Sequence, residues 1–176
     1  MMPEIGLLIL RVMIGVVFIG HGAQKLFGWF GGPGLTKYAS GAEERMHIYP
    51  GWFWAWVNAL AEFVGGLFMV LGFLTPVVSA LLICVMIMAI IKVHWPKGFF
   101  TTNGGYEFNL TLIAAALTIA CSGPGAYAWK PDFFAGWSPI TVFTVSLVIG
   151  LIGLLFALMS GSLYHAPTPT QRPHPR

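Results

Sequence analysis

Long hydrophobic runs separated by short polar segments dominate this chain, and their lengths are typical of helices. Five stretches carry few charges, at about residues 5–27, 52–73, 76–94, 106–121 and 139–163. An α-helix needs about 20 apolar residues to cross the hydrocarbon core of a bilayer. The alternation of polar and apolar residues that marks a β-barrel strand is absent from these runs. The pattern therefore predicts five membrane-spanning helices, of which the fourth is short.

The composition agrees with this class and excludes others. Hydrophobic residues make up 57% of the 176 residues and charged residues only 9%, and the mean hydropathy is +0.79. A soluble domain carries about a quarter charged residues, and nine scattered Lys and Arg form no basic face for nucleic acid. The predicted fold is all-α, a polytopic transmembrane helical bundle that contacts membrane lipid and has no nucleic-acid partner.

The two ends of the chain differ in character. The first apolar run lacks a basic leader and a convincing cleavage site, so it is predicted to remain as an uncleaved span. Residues 1–165 are expected to form a single transmembrane domain. Residues 166–176 contain four prolines and are expected to form a disordered tail.

Five spans place the termini on opposite sides of the membrane, here called side A for the N-terminus and side B for the C-terminus. Seven of the nine cations then fall on side B, namely Lys25, Lys37, Arg45, Lys92, Lys97, Arg172 and Arg176. Positively charged loops stay in the cytoplasm. The C-terminus is therefore predicted to be cytoplasmic, and the N-terminus to lie on the outer side.

Ionisable side chains inside the spans are the candidates for chemistry, because they are costly in lipid and usually face the bundle interior. His21 and Lys25 lie one helical turn apart on the first span, and Asn58 and Glu62 lie one turn apart on the second. Glu62 is at about mid-membrane. Alternate spans run in opposite directions, so distant positions meet at one level. The predicted polar cluster in the side B half contains His21, Lys25, Asn58, Glu62, His94 and Glu107.

Small residues accompany this cluster. Gly65 and Gly66 lie on or beside the face that carries Glu62, and two further glycines flank His21. Glycines at such positions let neighbouring helices approach closely. We therefore expect a tightly packed polar core.

A metal site is not predicted from this cluster. Imidazole and carboxylate groups suit iron or zinc, but the cluster lacks the close spacing of a dedicated site. The E-x-x-H pattern that the chain does contain, Glu44 to His47, lies in the long side B loop, where a solvated helix face explains it.

A proton-active role and a structural role both remain open for the cluster. Glu62, desolvated in mid-span, is expected to hold a proton unless it pairs with Lys25 or a histidine, and it could exchange that proton with a quinone or gate a coupled substrate. The structural alternative is an interhelical hydrogen bond or ion pair. Likewise, His94 can snorkel to the interface, and Glu107 can complement a helix N-terminus.

Four ordered sequence blocks across residues 20–125 resemble the DoxX family of small bacterial membrane proteins. The first is Gly20-His-Gly-Ala-Gln-Lys-Leu26 with Phe30-Gly-Gly32 and Gly34. The second is Glu62 with Gly65-Gly66 and Leu71-Gly-Phe-Leu-Thr-Pro76. The third contains Met88-Ala-Ile90, His94, Gly98-Phe-Phe100 and Gly104-Gly-Tyr-Glu107, and the fourth is Ser122-Gly-Pro-Gly125.

The resemblance implies a four-helix DoxX-like core, with a charge-free fifth C-terminal transmembrane helix as a departure from the shorter form. It also implies a bacterial inner membrane, in which the outer side predicted above for the N-terminus is the periplasm. The family takes its name from subunits similar to those of a thiosulfate:quinone oxidoreductase, but it supplies no catalytic residues.

Three functions follow as expectations. The first is a membrane subunit of a quinone-linked redox system, with a quinone as the small-molecule partner and another chain as the redox partner. The alternatives are a non-enzymatic scaffold or assembly subunit of a membrane complex, and a small proton-coupled permease. Whether the chain is itself an enzyme stays open, and a homo-oligomer is compatible with each function.

Overall fold

The computed structural model describes residues 2–129 and 133–164, and within these ranges the chain is helical without strands. The helices are α1 (Met2–Phe27), α2 (Gly34–Glu44), α3 (Gly51–Leu71), α4 (Thr75–Ala89), α5 (Glu107–Ser122) and α6 (Pro139–Leu163). A π-helical segment, Ile90–His94, continues α4, and short 3-10 turns lie at Trp29–Gly31, Trp95–Lys97 and Thr101–Asn103. The predicted all-α membrane bundle is confirmed.

Four of these helices are long and apolar enough to cross a membrane, namely α1, α3, α4 with its continuation to Lys97, and α6. The fourth predicted span, 106–121, is the shorter helix α5. Its 16 residues extend only about 24 Å at 1.5 Å per residue. The proline-rich tail, residues 166–176, lies outside the described residues.

Helices α1 and α3 pack closely, because glycines face each other across their contact. A Cβ atom added at Gly66 would lie 2.7 Å from the carbonyl oxygen of Gly15. One added at Gly22 would lie 2.5 Å from the backbone nitrogen of Phe63. The expected close approach is therefore present, although it is made by Gly15, Gly22 and Gly66 and not by Gly20, whose surroundings are open.

The remaining helices complete a ring and add one helix outside it. Helix α4 contacts α3 and α5, and α5 contacts α1, so α1, α3, α4 and α5 enclose a shared apolar core that includes Phe18, Met69 and Leu82. Helix α6 packs on α4 from outside the ring, around Phe143. This is the predicted four-helix core with a fifth C-terminal helix.

Contacts at the two ends of the bundle show that successive long helices run in alternate directions. On side A, Arg11 of α1 donates hydrogen bonds to the carbonyl oxygens of Pro124 and Tyr127, beyond the end of α5. On side B, Tyr49 stacks on Tyr164 at the end of α6, with ring centroids 4.2 Å apart. The N-terminus of α1 and the C-terminus of α6 therefore lie at opposite ends of the bundle.

Candidate functional site

Helices α1 and α3 bring three of the six predicted residues into direct contact. The Lys25 ammonium group donates to Oδ1 of Asn58 at 2.7 Å and to Oε1 of Glu62 at 2.6 Å. Asn58 and Glu62 share the buried face of α3 because they are four residues apart. The glycine contacts between α1 and α3 allow the lysine to reach both of them.

The ion pair between Lys25 and Glu62 is largely removed from water. The Glu62 side chain is 2% exposed and that of Lys25 is 20% exposed. Two opposite charges at this distance cancel each other locally, which makes their burial tolerable. The second carboxylate oxygen of Glu62, Oε2, is buried and has no hydrogen-bond partner within the described part of the chain. The pair is thus electrically balanced but retains one free acceptor atom.

Tyr38 of α2 is a further member of the site that the sequence analysis missed. Its hydroxyl donates to Oδ1 of Asn58 at 2.8 Å, and the Lys25 ammonium lies 5.0 Å from the centre of its ring. Burial raises the pKa of the Tyr38 phenol, so this group stays protonated at neutral pH and acts as a donor. The hydrophobic pattern carries no signal for this contact, because it depends on how the side B loop folds back onto α3.

A pocket of about 240 Å³ opens beside these residues, and Lys25, Tyr38, Asn58 and His94 contribute to its lining. We call this the polar pocket. Its other walls are apolar side chains of α4, including Val85 and Met88. The pocket therefore presents an ammonium, a phenol, an amide and an imidazole group inside an otherwise apolar bundle.

His94 lies at the end of the π-helical segment and connects the polar pocket to a second one. Its Nδ1 atom lies 2.6 Å from the carbonyl oxygen of Gly104. A carbonyl oxygen can only accept, so Nδ1 carries a proton and donates it to Gly104. His94 also lines a pocket of about 160 Å³ together with His21 and the buried Asn109. The sequence analysis did not identify Asn109 as a site residue.

Two of the predicted residues lie apart from the ion pair. His21 is exposed, and it shares with His94 the lining of the second pocket. Glu107 uses Oε1 to accept from the backbone N–H of Thr101 at 2.6 Å, and its own N–H donates to Phe99. Its carboxylate therefore orders the loop before α5. Lys92 donates to the carbonyl oxygen of Met46 at 2.7 Å and thus anchors the long side B loop.

The chemistry available at this site is proton exchange and hydrogen bonding. Within residues 2–129 and 133–164, no three His, Cys, Asp or Glu side chains are close enough to hold a metal ion. The polar pocket instead offers donors next to a neutralised ion pair. Such a surface suits an uncharged ligand that carries hydrogen-bond acceptors.

Comparisons with known proteins agree with the resemblance noted in the sequence. The DoxX family model matches residues 6–95, which include Lys25, Tyr38, Asn58, Glu62 and His94. A Bacillus subtilis protein named "Putative oxidoreductase CatD" is 32% identical over 139 residues, which cover 76% of this chain and 90% of that protein.

Two further relatives are similar over comparable lengths. "Inner membrane protein YqjF" of Escherichia coli is 28% identical over 72% of this chain and 91% of its own length. "Uncharacterized membrane protein Rv3486" of Mycobacterium tuberculosis is 28% identical over 68% of this chain and 76% of its own. No solved structure matches the chain.

Proposed function

The chain belongs to the DoxX family of membrane proteins, and from that premise we propose that it is the membrane subunit of a quinone-linked redox system. The observation that carries this proposal is the buried Lys25–Glu62 ion pair at the edge of the polar pocket. One relative bears the name of an oxidoreductase, which supports a redox role over a purely structural one.

Quinone chemistry explains why proton-bearing groups would be placed inside a membrane protein. Reduction of a quinone to a quinol consumes two electrons and two protons. In this proposal the electrons come from a redox partner chain, and the protons pass through residues of the polar pocket. Lys25 and Tyr38 hold protons at that pocket, His94 lines it but donates its Nδ1 proton to Gly104, and Glu62 balances the lysine charge.

The residues of the polar pocket also fit the ring of a quinone. A quinone is uncharged and carries two carbonyl acceptors, and the pocket supplies the N–H donors of Lys25 and Asn58. Because Glu62 already neutralises Lys25, an uncharged ring avoids the cost of bringing an unpaired charge into the bundle. The site would thus bind and orient the ring and exclude water from it.

Side B is proposed to face the cytoplasm of a bacterial inner membrane and to dock the redox partner there. Five of the six cations on described residues lie on side B elements, and the exception is Arg11. One relative is named an inner membrane protein. The long side B loop, with α2 and exposed aromatic residues, provides the docking surface.

Replacement of one carboxyl group tests the proposal. Glu62→Gln keeps an oxygen acceptor for the Lys25 ammonium, which is 20% exposed, but removes the negative charge. The amount of each variant in native membranes is therefore measured beside its activity. Quinone-dependent electron flow, measured per unit of protein, should fall at least about tenfold. A loss of about 1.4 kcal/mol in transition-state stabilisation suffices for that factor.

The matched control is Glu4→Gln, the same change at the side A end of α1, away from the polar pocket and the side B docking surface, which should leave electron flow unchanged. If electron flow instead follows protein level equally in both variants, the polar site only fixes helix register. The scaffold function would then replace the redox function.

A further inference from the structure

An apolar groove of about 170 Å³ runs between α3, α4 and α6, at the depth of the membrane-spanning segments. Trp54 and Val57 of α3, Leu81 and Cys84 of α4, and Leu154 of α6 line it. Val57 and Leu81 are exposed, so the groove opens toward the outside of the bundle. Its surface is thus accessible from the lipid.

The groove exists because of a glycine on α6. A Cβ atom added at Gly153 would have no atom within 4 Å, whereas one at Gly150 would lie 2.7 Å from Sγ of Cys84. Helix α6 therefore touches α4 at Gly150 but leaves free space beside Gly153. A larger side chain at residue 153 would fill the groove without disturbing the packing of α6 on α4.

The inner end of the groove meets the polar pocket. Asn58, Val85 and Met88 line both cavities. Asn58 is 7% exposed, and its Oδ1 accepts from both Lys25 and Tyr38. Its Nδ2 group forms no hydrogen bond to any residue that the structure describes. An amide donor without a hydrogen-bond partner among the described residues thus lies where the apolar groove reaches the polar pocket.

We propose that the groove and the polar pocket form one binding site for an isoprenoid quinone, with the tail in the groove and a ring carbonyl at Nδ2 of Asn58. This assignment rests on the proposed function and adds the place at which the quinone enters the bundle. The tail requires an apolar path from the lipid, which the groove provides. The neutralised Lys25–Glu62 pair favours an uncharged ring over the phosphate of a lipid headgroup.

Binding of two quinones to the purified chain in nanodiscs tests this assignment. One has a ten-carbon tail, the other has the same ring without a tail, and empty nanodiscs correct for partition into lipid. Gly153→Phe, which fills the groove, should weaken binding of the tailed quinone at least about tenfold relative to the wild-type chain. Binding of the tail-less ring should not change.

Two further variants complete the design. Ile152→Phe adds an aromatic ring to an exposed, lipid-facing position of the same helix and should bind both quinones like the wild-type chain. Val57→Phe narrows the groove from α3 and should reproduce the effect of Gly153→Phe. It keeps the test decisive if Gly153→Phe does not fold.

The outcomes separate the inference from the proposed function. If both groove variants bind the tailed quinone as tightly as the wild-type chain, the groove assignment is overturned and the proposed function stands. If the wild-type chain binds neither quinone, both fall. Loss of a co-purified phospholipid from the groove variants, with quinone binding unchanged, would assign the groove to a lipid acyl chain and overturn the inference.

Discussion

At the scale of single residues, the Lys25–Glu62 ion pair dominates the energetics of the polar site. Each charge alone would be costly inside a transmembrane bundle. Their separation of 2.6 Å and the hydrogen bonds of Asn58 make the burial of both charges tolerable. The two charges therefore depend on each other more than on any other group nearby.

This dependence predicts a strong non-additivity. Lys25→Met or Glu62→Met alone leaves an uncompensated buried charge and should lower the free energy of unfolding by about 3–5 kcal/mol. The double replacement removes both charges and should recover most of that loss. The free energy of unfolding of all three variants is measured by reversible unfolding in mixed micelles.

Lys37→Met provides the control, because Lys37 is exposed on α2 and its loss should change the free energy of unfolding by less than about 0.5 kcal/mol. Additive effects of the two single replacements would contradict the importance assigned to the pair.

The membership of the site was predictable from the sequence only where helical spacing determines it. Asn58 and Glu62 are one turn apart on α3, and depth places Lys25 near them, so their meeting follows from spacing and topology. Tyr38 reaches Asn58 through the fold of α2 over the end of the bundle, which periodicity does not encode. Glu107 had the right depth, but the backbone N–H of Thr101 binds its carboxylate.

At the scale of helices, the close packing of α1 on α3 sets the geometry of the ion pair. The backbone of Gly66 lies so near α1 that a methyl group there would overlap the carbonyl oxygen of Gly15. Backbone atoms cannot move aside as a flexible side chain can. The distance between the two helices is thus fixed by residues with no chemistry of their own.

Enlarging this glycine should therefore loosen the helix pair. Gly66→Val is expected to destabilise the protein by about 1–3 kcal/mol through overpacking and to lower its Tm in detergent. Gly20→Val places the same side chain on α1 where no atom lies within 4 Å of the added Cβ, and it should leave the Tm nearly unchanged. Equal effects of the two changes would contradict the proposed role of the contact.

Helix boundaries were predictable to within a few residues because hydrophobic runs, prolines and glycines mark them. The run predicted at 139–163 matches α6, where Ser138 accepts a hydrogen bond from the N–H of Thr141 as an N-cap. The π-helical segment that carries Lys92 and His94 was not predictable. A change from i→i+4 to i→i+5 hydrogen bonding leaves the hydrophobic pattern almost unaltered.

At the scale of the whole molecule, the helices that alternate in direction place almost all described cations on side B. This distribution and the positive-inside rule together predict that side B is cytoplasmic. A Cys-free variant that carries Ala135→Cys on side A should react with a membrane-impermeant maleimide in intact cells. Lys97→Cys on side B should react only after the membrane is opened, and the reverse pattern would contradict the orientation.

Native mass spectrometry of the tagged chain tests whether it binds a quinone and works with a redox partner. The protein is extracted gently from its own membranes and measured in two detergents. We predict a stable added mass that corresponds to an isoprenoid quinone, to a second redox polypeptide, or to both. A bare homo-oligomer that carries only lipid in both detergents would contradict the claim and favour the scaffold or the permease.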